Sequence, residues 1–211
     1  MKRLALAGVA LVLALAGCSS SGHASSAKGS DLNDISPSTG KFAGIEFGQP
    51  QPRPSFTLTD TTGKTVNFGT ATANTATLLY FGYTNCPDVC PETMADVGLA
   101  LKSLPVATQQ KVDVVFVSTD VKHDTAPIIT KWLSNFSTDN HAHFIGLRGT
   151  QAQINAAQAS AHVVVAEDGG ETHSAQLLLY GADNYARVSY VPTSAGEQKQ
   201  IAHDLPLVVG K

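Results

Sequence analysis

The sequence is short of basic residues and of long apolar runs, and both shortages limit what the protein can be. Lysine and arginine total 14 against 17 aspartate and glutamate residues, and no segment concentrates the basic ones. A nucleic-acid partner is therefore not expected, because phosphate binding relies on a basic patch. The apolar run at 4–16 is too short to span a bilayer, which takes about 20 residues of helix. With 211 residues, 43% of them hydrophobic, the chain fits one compact domain with ancillary segments.

The first residues are typical of an export signal. Lys2 and Arg3 precede the apolar run, and small residues close it. The run ends in the sequence LAGC at 15–18, which resembles a bacterial lipobox, where the cysteine is diacylated and becomes the first mature residue. We therefore predict a lipoprotein signal peptide at 1–17 and a lipid anchor on Cys18 that holds the protein on the extracytoplasmic face of the cell membrane. The alternative is an ordinary secretory signal with a stray cysteine, which would leave an exposed thiol in an oxidising compartment.

Cysteine is scarce, with three residues in all. If lipid takes Cys18, the other two, Cys86 and Cys90, form a natural pair. Residues 18–54 are rich in Ser, Gly, Ala and Pro and poor in aliphatic residues, which predicts a flexible tether with a span on the order of 30 Å. Residues 55–211 are predicted to form the folded domain.

Strand-like and helix-like segments alternate along that domain. Continuous apolar runs at 77–83 and 112–118 predict two buried strands, and the segment between them, at 91–104, has apolar residues at helical spacing. This order implies a right-handed βαβ unit. The remaining predicted elements are a hairpin at 55–68, helices at 125–136, 151–160 and 194–205, and strands at 162–166, 175–180 and 186–191. The whole predicts an α/β domain with a thioredoxin-like order of elements, a central mixed sheet flanked by helices.

Cys86 and Cys90 lie where the first buried strand passes into the following helix. Unpaired N–H groups and the helix dipole at such a junction favour the thiolate, which is the reactive and metal-binding form of cysteine. If this turn is helical, the spacing of the two residues puts their Cβ atoms about 5 to 6 Å apart, so that one metal ion can bind both sulfurs. A redox pair without metal remains possible, as does a structural disulfide, although a loop this short gains only about 2 kcal/mol from closure. The thioredoxin redox motif has two intervening residues rather than three, which disfavours an ordinary oxidoreductase.

Two thiolates and an imidazole suit copper, because thiolates favour Cu(I) and an added histidine makes Cu(II) tolerable. A structural zinc site would normally have four protein ligands. His173 lies beside an apolar strand, at a rigid edge where its side chain can be aimed. His141 and His143 form an H-x-H pair in a polar loop that could bind a metal by itself. Met94 is a soft sulfur ligand but fits the apolar face of its helix. Spacing alone leaves the choice open among seven histidines, of which the others are His23, His123, His162 and His203.

Three segments resemble blocks of one known family. The sequence TNCPDVCP at 84–91 is very similar to the signature of the Sco/SenC family of copper proteins, which assist assembly of the copper centre of cytochrome c oxidase. The sequence VSTD at 117–120, followed by DT at 124–125, resembles the second block of that family, and HSA at 173–175 resembles the third. The resemblance extends along most of the domain.

The resemblance implies a thioredoxin-like fold and a copper site. By it, Cys86, Cys90 and His173 are the copper ligands, and Asp120 is an acid near the site that tunes the ligands or the charge. Val121 stands where the family commonly has proline, which concerns the geometry of the loop around Asp120 and leaves the three ligands untouched.

The function that follows from the resemblance is that of a metallochaperone rather than an enzyme. Reduced thiols would hold Cu(I), the histidine would be added for Cu(II), and oxidation to a disulfide would release the metal, with reduction of a partner's thiols in the same cycle. The implied partner is the copper-bearing subunit of cytochrome c oxidase. One alternative is a thiol–disulfide oxidoreductase or peroxiredoxin-like enzyme with incidental metal binding, although Arg148 and Arg187, the arginines that a peroxidase could use, lie beside no motif. Another is a passive copper or zinc buffer.

Overall fold

The structure is a computed structural model that describes residues 40–165, 175–191 and 196–210. Within these ranges, no helix combines the length and apolar character that crossing a membrane requires. The described residues form eight strands and six helices. The strands are β1 (Ile45–Pro52), β2 (Thr57–Asp60), β3 (Thr65–Asn67), β4 (Ala76–Gly82), β5 (Val112–Ser118), β6 (His143–Arg148), β7 (Leu177–Tyr180) and β8 (Tyr185–Tyr190), and the helices are α1 (Phe68–Ala71), α2 (Val89–Lys102), α3 (Val106–Gln109), α4 (Ala126–Ser137), α5 (Gln151–Ser160) and α6 (Glu197–Val208).

All eight strands belong to one mixed sheet in the order β1-β8-β7-β4-β5-β6-β2-β3. β4, β5 and β6 are parallel to one another, whereas β4 with β7, β7 with β8 and β8 with β1 are antiparallel pairs. The carboxyl ends of β4 and β5 therefore lie at the same end of the sheet, which we call the cysteine end because Cys86 follows β4. The turn between β7 and β8 lies at the opposite end of the strands.

Two hydrophobic cores lie on opposite faces of the central strands. Every residue of β4 and β5 is buried. Leu78 and Tyr80 belong to a core shared with α2, α4 and α6, and Leu79 and Phe81 to a core shared with α1 and α5. Successive side chains of a strand point to opposite faces, so helices cover both sides of the sheet. The predicted mixed sheet flanked by helices is confirmed, as are the βαβ unit, now β4-α2-β5, and the hairpin of β2 and β3.

The folded domain begins earlier than the sequence predicts. The predicted tether runs to residue 54, but β1 pairs with β8 and Phe42 is only 6% exposed. β1 is an edge strand with an irregular register between Glu46 and Gln51, and most of its residues are exposed or half-buried. Such a strand has no regular apolar alternation, which is why composition alone assigns it to the tether.

Two further predictions are wrong in their local structure. Residues 162–165 are not a strand, because α5 ends at Ser160 and His162 then adopts a left-handed conformation with φ of 56°. His143 is not in a loop, since it begins β6 and lies opposite Asp113 of β5. β6 escaped prediction because only Gly146 and Leu147 are buried in it, which leaves too short an apolar run to recognise.

A buried carboxylate fastens the segment before β1 to the last helix. Asp204 of α6 is fully buried, and its two oxygens accept hydrogen bonds from the backbone N–H groups of Ala43 at 2.8 Å and Gly44 at 2.9 Å. The Tyr190 hydroxyl donates to the same carboxylate at 2.9 Å, and the His203 ring nitrogen Nδ1 lies 2.7 Å from it. We call these groups the Asp204 clasp. Gly44 is required there, because a Cβ at this position would lie 2.5 Å from a methyl carbon of Val188.

Candidate metal centre

The two cysteines lie at the N-terminus of α2, as the sequence predicts, but only one is within the helix. Cys90 lies in the first turn of α2, whereas Cys86 belongs to the preceding loop, residues 83–88, which we call the cysteine loop. The backbone N–H of Cys90 donates to the Cys86 sulfur at 3.4 Å. Asp88, the residue at the N-cap position, makes no capping hydrogen bond with its side chain. The Cys86 sulfur therefore takes over the capping of this helix, and both cysteines are thiols in the structure.

Burial makes the two thiols chemically different. Partial burial by itself raises the pKa of Cys86, but hydrogen bonds from the backbone N–H groups of Asp88 and Cys90, and from the Cys90 and Tyr83 side chains, bring that pKa below its ordinary value. Burial raises the pKa of Cys90 to about 12, despite hydrogen bonding from Tyr83 and Tyr80, and the neighbouring Cys86 raises it further. Cys86 is thus the accessible, more acidic sulfur, and Cys90 is the buried, less acidic one.

The buried sulfur is held by the core of the domain. Cys90 is fully buried, and the Tyr80 hydroxyl donates to its sulfur at 3.5 Å. A Cβ at Gly82 would lie 3.0 Å from this sulfur and 2.9 Å from a ring carbon of Tyr80. The end of β4 therefore needs glycine so that Cys90 can pack against the strand. Met94 is fully buried in the same core, which confirms that it serves packing, as its place on the helix predicts.

This difference predicts unequal reactivity towards an alkylating reagent. At pH 7.5 we expect the Cys90→Ser variant, which retains Cys86, to react with iodoacetamide about tenfold faster or more than the Cys86→Ser variant, which retains Cys90. The rate of the first should level off below pH 9 because its thiol pKa is lowered, while the rate of the second should still rise above pH 10. Mass spectrometry of the labelled chains provides the measurement. Equal rates in the two variants would contradict the assigned environments.

The loop between β5 and α4 is hydrogen-bonded to the cysteine loop and to the end of β4. Asp124 is 2% exposed and accepts hydrogen bonds from the Thr84 backbone N–H at 3.0 Å, the Thr84 hydroxyl and the Ser118 hydroxyl. The Thr119 N–H also donates to the Gly82 carbonyl at 2.8 Å. Thr125 occupies the N-cap position of α4 and makes no capping hydrogen bond with its side chain. Asp124 instead joins two loops, a role that needs a partner 40 residues away and that local pattern does not reveal.

Asp120 lies at the cysteine end, directly after β5 and Thr119. Its carboxylate accepts the backbone N–H groups of Lys122 and His123, both at 3.1 Å, and lies 2.8 Å from the His123 ring nitrogen Nδ1. Burial by itself raises the pKa of Asp120, but the hydrogen bonds from His123 and Lys122 bring it below its ordinary value. Among the described residues, the groups that bond the Asp120 carboxylate all belong to its own loop.

The structure separates the histidine candidates. His173 and His23 lie outside the described residues, as does Cys18. His143 begins β6 opposite the first residues of β5, so it lies at the edge of the sheet away from the cysteines. His203 belongs to the Asp204 clasp. Of the histidines that the structure describes, His123 is the one on a loop bonded to the cysteine loop.

Among the residues that the structure describes, no three histidine, cysteine, aspartate or glutamate side chains are grouped so as to hold a metal ion. The described part of the site offers two sulfur atoms as candidate ligands. His173, the predicted third ligand, lies outside the described residues and stays a prediction.

The fold and the cysteine pair define a thioredoxin-like α/β protein with two cysteines at the start of the helix that follows the central strand. Comparisons with known proteins agree with that class. The SCO1/SenC family model matches residues 47–209, and the chain belongs to this family.

Individual relatives show how close the similarity is. Protein SenC of Rhodobacter capsulatus is 36% identical over 115 residues, which are 54% of this chain and 47% of that protein. The solution structure of apo Sco1 from Thermus thermophilus is 27% identical, covers 81% of this chain and 99% of its own, and superposes with a TM-score of 0.66. ScoI of Bradyrhizobium japonicum with copper bound is 29% identical, with coverages of 74% and 99% and a TM-score of 0.60. The chain spans about half the length of the curated relatives it matches.

Proposed function

We propose that the chain is a membrane-anchored, extracytoplasmic copper metallochaperone that supports assembly of the copper centre of cytochrome c oxidase. Cys86 and Cys90 bind Cu(I), and His173 completes the site for Cu(II). Lipid on Cys18 holds the protein to the membrane, where the copper-bearing oxidase subunit is its partner. The observation that carries the proposal is the pair of sulfurs at the start of α2, joined through the Cys90 N–H. The copper-bound ScoI relative, which shares the fold, supports the choice of metal.

The two thiols differ in protonation when the metal binds. Cys86, with its lowered pKa and partial exposure, meets the metal first as a thiolate. Cys90 is a thiol at neutral pH because its pKa is about 12, so it must lose its proton to the solvent when the metal binds. Copper affinity therefore rises with pH, since binding releases a proton that a higher pH removes more readily.

The difference between the thiols also suits thiol exchange, and reduction of partner thiols is a second candidate activity. The Cys86 thiolate attacks a partner disulfide and releases one partner thiolate, and Cys90 then displaces the second. The products are a Cys86–Cys90 disulfide and two partner thiols, so the two electrons that this chain loses are gained by the partner. A peroxiredoxin-like reaction is less well supported, because Arg187 pairs with Asp183 at the far edge of the sheet and Arg148 ends β6, two strands from β4.

Copper loading of the reduced mature chain tests the proposal. We expect a single equivalent of copper in the wild type and its loss in both Cys86→Ser and Cys90→Ser. His173→Ala should keep Cu(I) but lose the Cu(II) absorption, whereas the matched control His143→Ala, at the other edge of the sheet, should leave both unchanged. Metal analysis and visible spectroscopy provide the readout.

Undiminished copper in the two cysteine variants would overturn the proposal. An unchanged Cu(II) spectrum in His173→Ala would direct attention to His123, which lies on the loop bonded to the cysteine loop. Disulfide turnover at about 1 s⁻¹ or faster without copper would make thiol reduction the main activity.

A further inference from the structure

A line of acidic side chains runs along α2 away from the cysteine loop. Asp88 precedes the helix, and Glu92 and Asp96 follow it at intervals of four residues, so the three carboxylates share one face of the helix. Asp88 and Glu92 are exposed, and Asp96 is half-buried. Asp96 follows Cys90 by about 9 Å along the helix axis. All three carboxylates therefore act on a charged group that approaches the cysteines, because charges this close are only partly screened at physiological salt.

A buried carboxyl group of α6 adjoins this line. Glu197 begins α6 and is 4% exposed, and its Oε1 atom has no hydrogen-bond partner among the described residues. Asp96 lies beside the start of the same helix, since the backbone N–H of Gln198 donates to the Asp96 carboxylate. Burial and the nearby Asp96 and Glu92 carboxylates raise the pKa of Glu197 to about 7. Buried polar atoms are normally hydrogen-bonded, so this oxygen is an acceptor that the described part of the chain leaves unused.

No basic side chain in the described part of the chain neutralises this group. None of the ion pairs formed between described residues includes Asp88, Glu92, Asp96 or Glu197, which we call the acidic face. Lys199 of α6 is exposed and pairs with none of them. The N-termini of α2 and α6 supply only partial positive charge there, and carboxylates at this spacing repel one another. The acidic face therefore keeps a net negative charge that a cationic partner can neutralise.

We infer that the acidic face docks a partner protein through lysine or arginine side chains beside the cysteine loop. The inference deepens the proposed function and rests on it only in taking the cysteines as the groups that meet the partner. The carboxylates extend over about 12 Å of α2, which suits several separate cationic groups better than one metal ion. No three such side chains of the described residues are grouped so as to hold a metal ion. Complementary charge speeds the encounter and fixes the orientation in which the partner reaches the sulfurs.

Thiol exchange with charged peptides tests the acidic face without copper and without lipidation. The mature chain carries Cys18→Ser and Cys90→Ser, so that Cys86 is its only cysteine. Two short peptides each hold one cysteine as a mixed disulfide with 2-thiopyridine. One peptide is rich in lysine, and the other has glutamine in place of each lysine. The Cys86 thiolate attacks the peptide sulfur, forms a protein–peptide disulfide and releases pyridine-2-thione, whose absorbance gives the second-order rate constant.

We expect the lysine peptide to react about tenfold faster or more than the glutamine peptide at low ionic strength and about pH 8, where Glu197 is ionised. Glu92→Gln and, in a separate chain, Glu197→Gln should each lower this ratio about twofold or more, because each removes one negative charge and keeps the shape of the side chain. The two residues lie on different helices, so a local defect in one variant leaves the other as a test. The matched control is Asp139→Asn, which should keep the original ratio, because Asp139 is exposed and lies shortly before β6, at the end of the sheet away from the cysteines.

Three results would overturn the inference. The first is equal rates for the two peptides before either glutamate is replaced, and the second is a ratio that neither glutamine variant lowers more than Asp139→Asn does. The third is loss of the lysine preference when about 1 mM magnesium chloride is added at constant ionic strength, which would show that the acidic face holds a free cation. The glutamine peptide reports the reactivity of Cys86 by itself and no copper is used, so each result stands apart from a failure of thiol exchange or of copper binding.

Discussion

Replacing Asp204 with alanine should lower the free energy of unfolding by about 3 kcal/mol or more, one of the two largest effects that we expect of a single substitution. The side chain is fully buried and accepts hydrogen bonds from Ala43, Gly44 and Tyr190. Its removal leaves these donors buried without an acceptor, and losing one partner from a buried charged network costs far more than the network contributes as a whole. Urea denaturation followed by far-UV circular dichroism provides the measurement.

Two neighbours provide matched controls for the clasp. Tyr190→Phe removes one donor and no charge, so we expect a loss of about 1 kcal/mol. His203→Ala should change stability by less than about 1 kcal/mol, because the His203 side chain is 56% exposed and its removal leaves the bonds of Ala43, Gly44 and Tyr190 to Asp204 in place. Limited proteolysis should cut the Asp204→Ala variant near residue 44 under conditions in which the wild type resists. A loss smaller than that of Tyr190→Phe would show that the clasp does not hold this segment.

Replacing Asp124 with alanine should weaken copper binding about 10- to 100-fold while both cysteines remain in place. Asp124 holds the cysteine loop through two hydrogen bonds from Thr84, two residues before Cys86. Groups that orient the ligands of a metal typically matter by this factor, because the freed loop must be ordered again each time the metal binds. Competition with a Cu(I) chelator of known affinity provides the measurement.

The control for Asp124 has to separate loop positioning from general stability. Ser118→Ala removes a hydrogen bond to the same carboxylate but leaves both bonds from Thr84, so we expect a stability loss of about 1 kcal/mol and a copper affinity within about threefold of the wild type. The alkylation rate of Cys86 gives a second readout, which should change in Asp124→Ala and not in Ser118→Ala. Wild-type copper affinity in a folded Asp124→Ala variant would refute the positioning role.

The best-predicted elements are those whose apolar pattern or cap lies in consecutive residues. The strand predicted at 112–118 and the helix predicted at 151–160 have the bounds observed for β5 and α5. β5 is buried at every residue, so its apolar run is continuous, and Thr150 caps α5 through a capping box with Gln153. In both segments local sequence and tertiary burial agree, which is the condition under which periodicity is informative.

For the candidate site, too, the sequence predicts the local features and the structure supplies those that depend on tertiary contacts. The sequence by itself determined that Cys86 and Cys90 lie at a strand-to-helix junction, because that junction is a matter of local order. The structure decided that the Cys86 sulfur caps α2 and that Cys90 is buried beneath Gly82 and Tyr80. The unequal pKa values of the two thiols follow from that burial, and no spacing rule distinguishes one thiol from the other.

What only the tertiary structure decided depends on residues far apart in the chain. Asp204 and Ala43 are separated by 161 positions, and Asp124 and Thr84 by 40, so neither pairing leaves a local pattern. The edge strand β1 has the composition of a tether and becomes a strand because β8 pairs with it. By itself the sequence determined the family, the central strands and the two sulfurs, since these follow from motifs and from runs of apolar residues. The fold decided which loop supports the cysteines and that β1 pairs with β8, because hydrogen bonds between distant segments form only when the sheet closes.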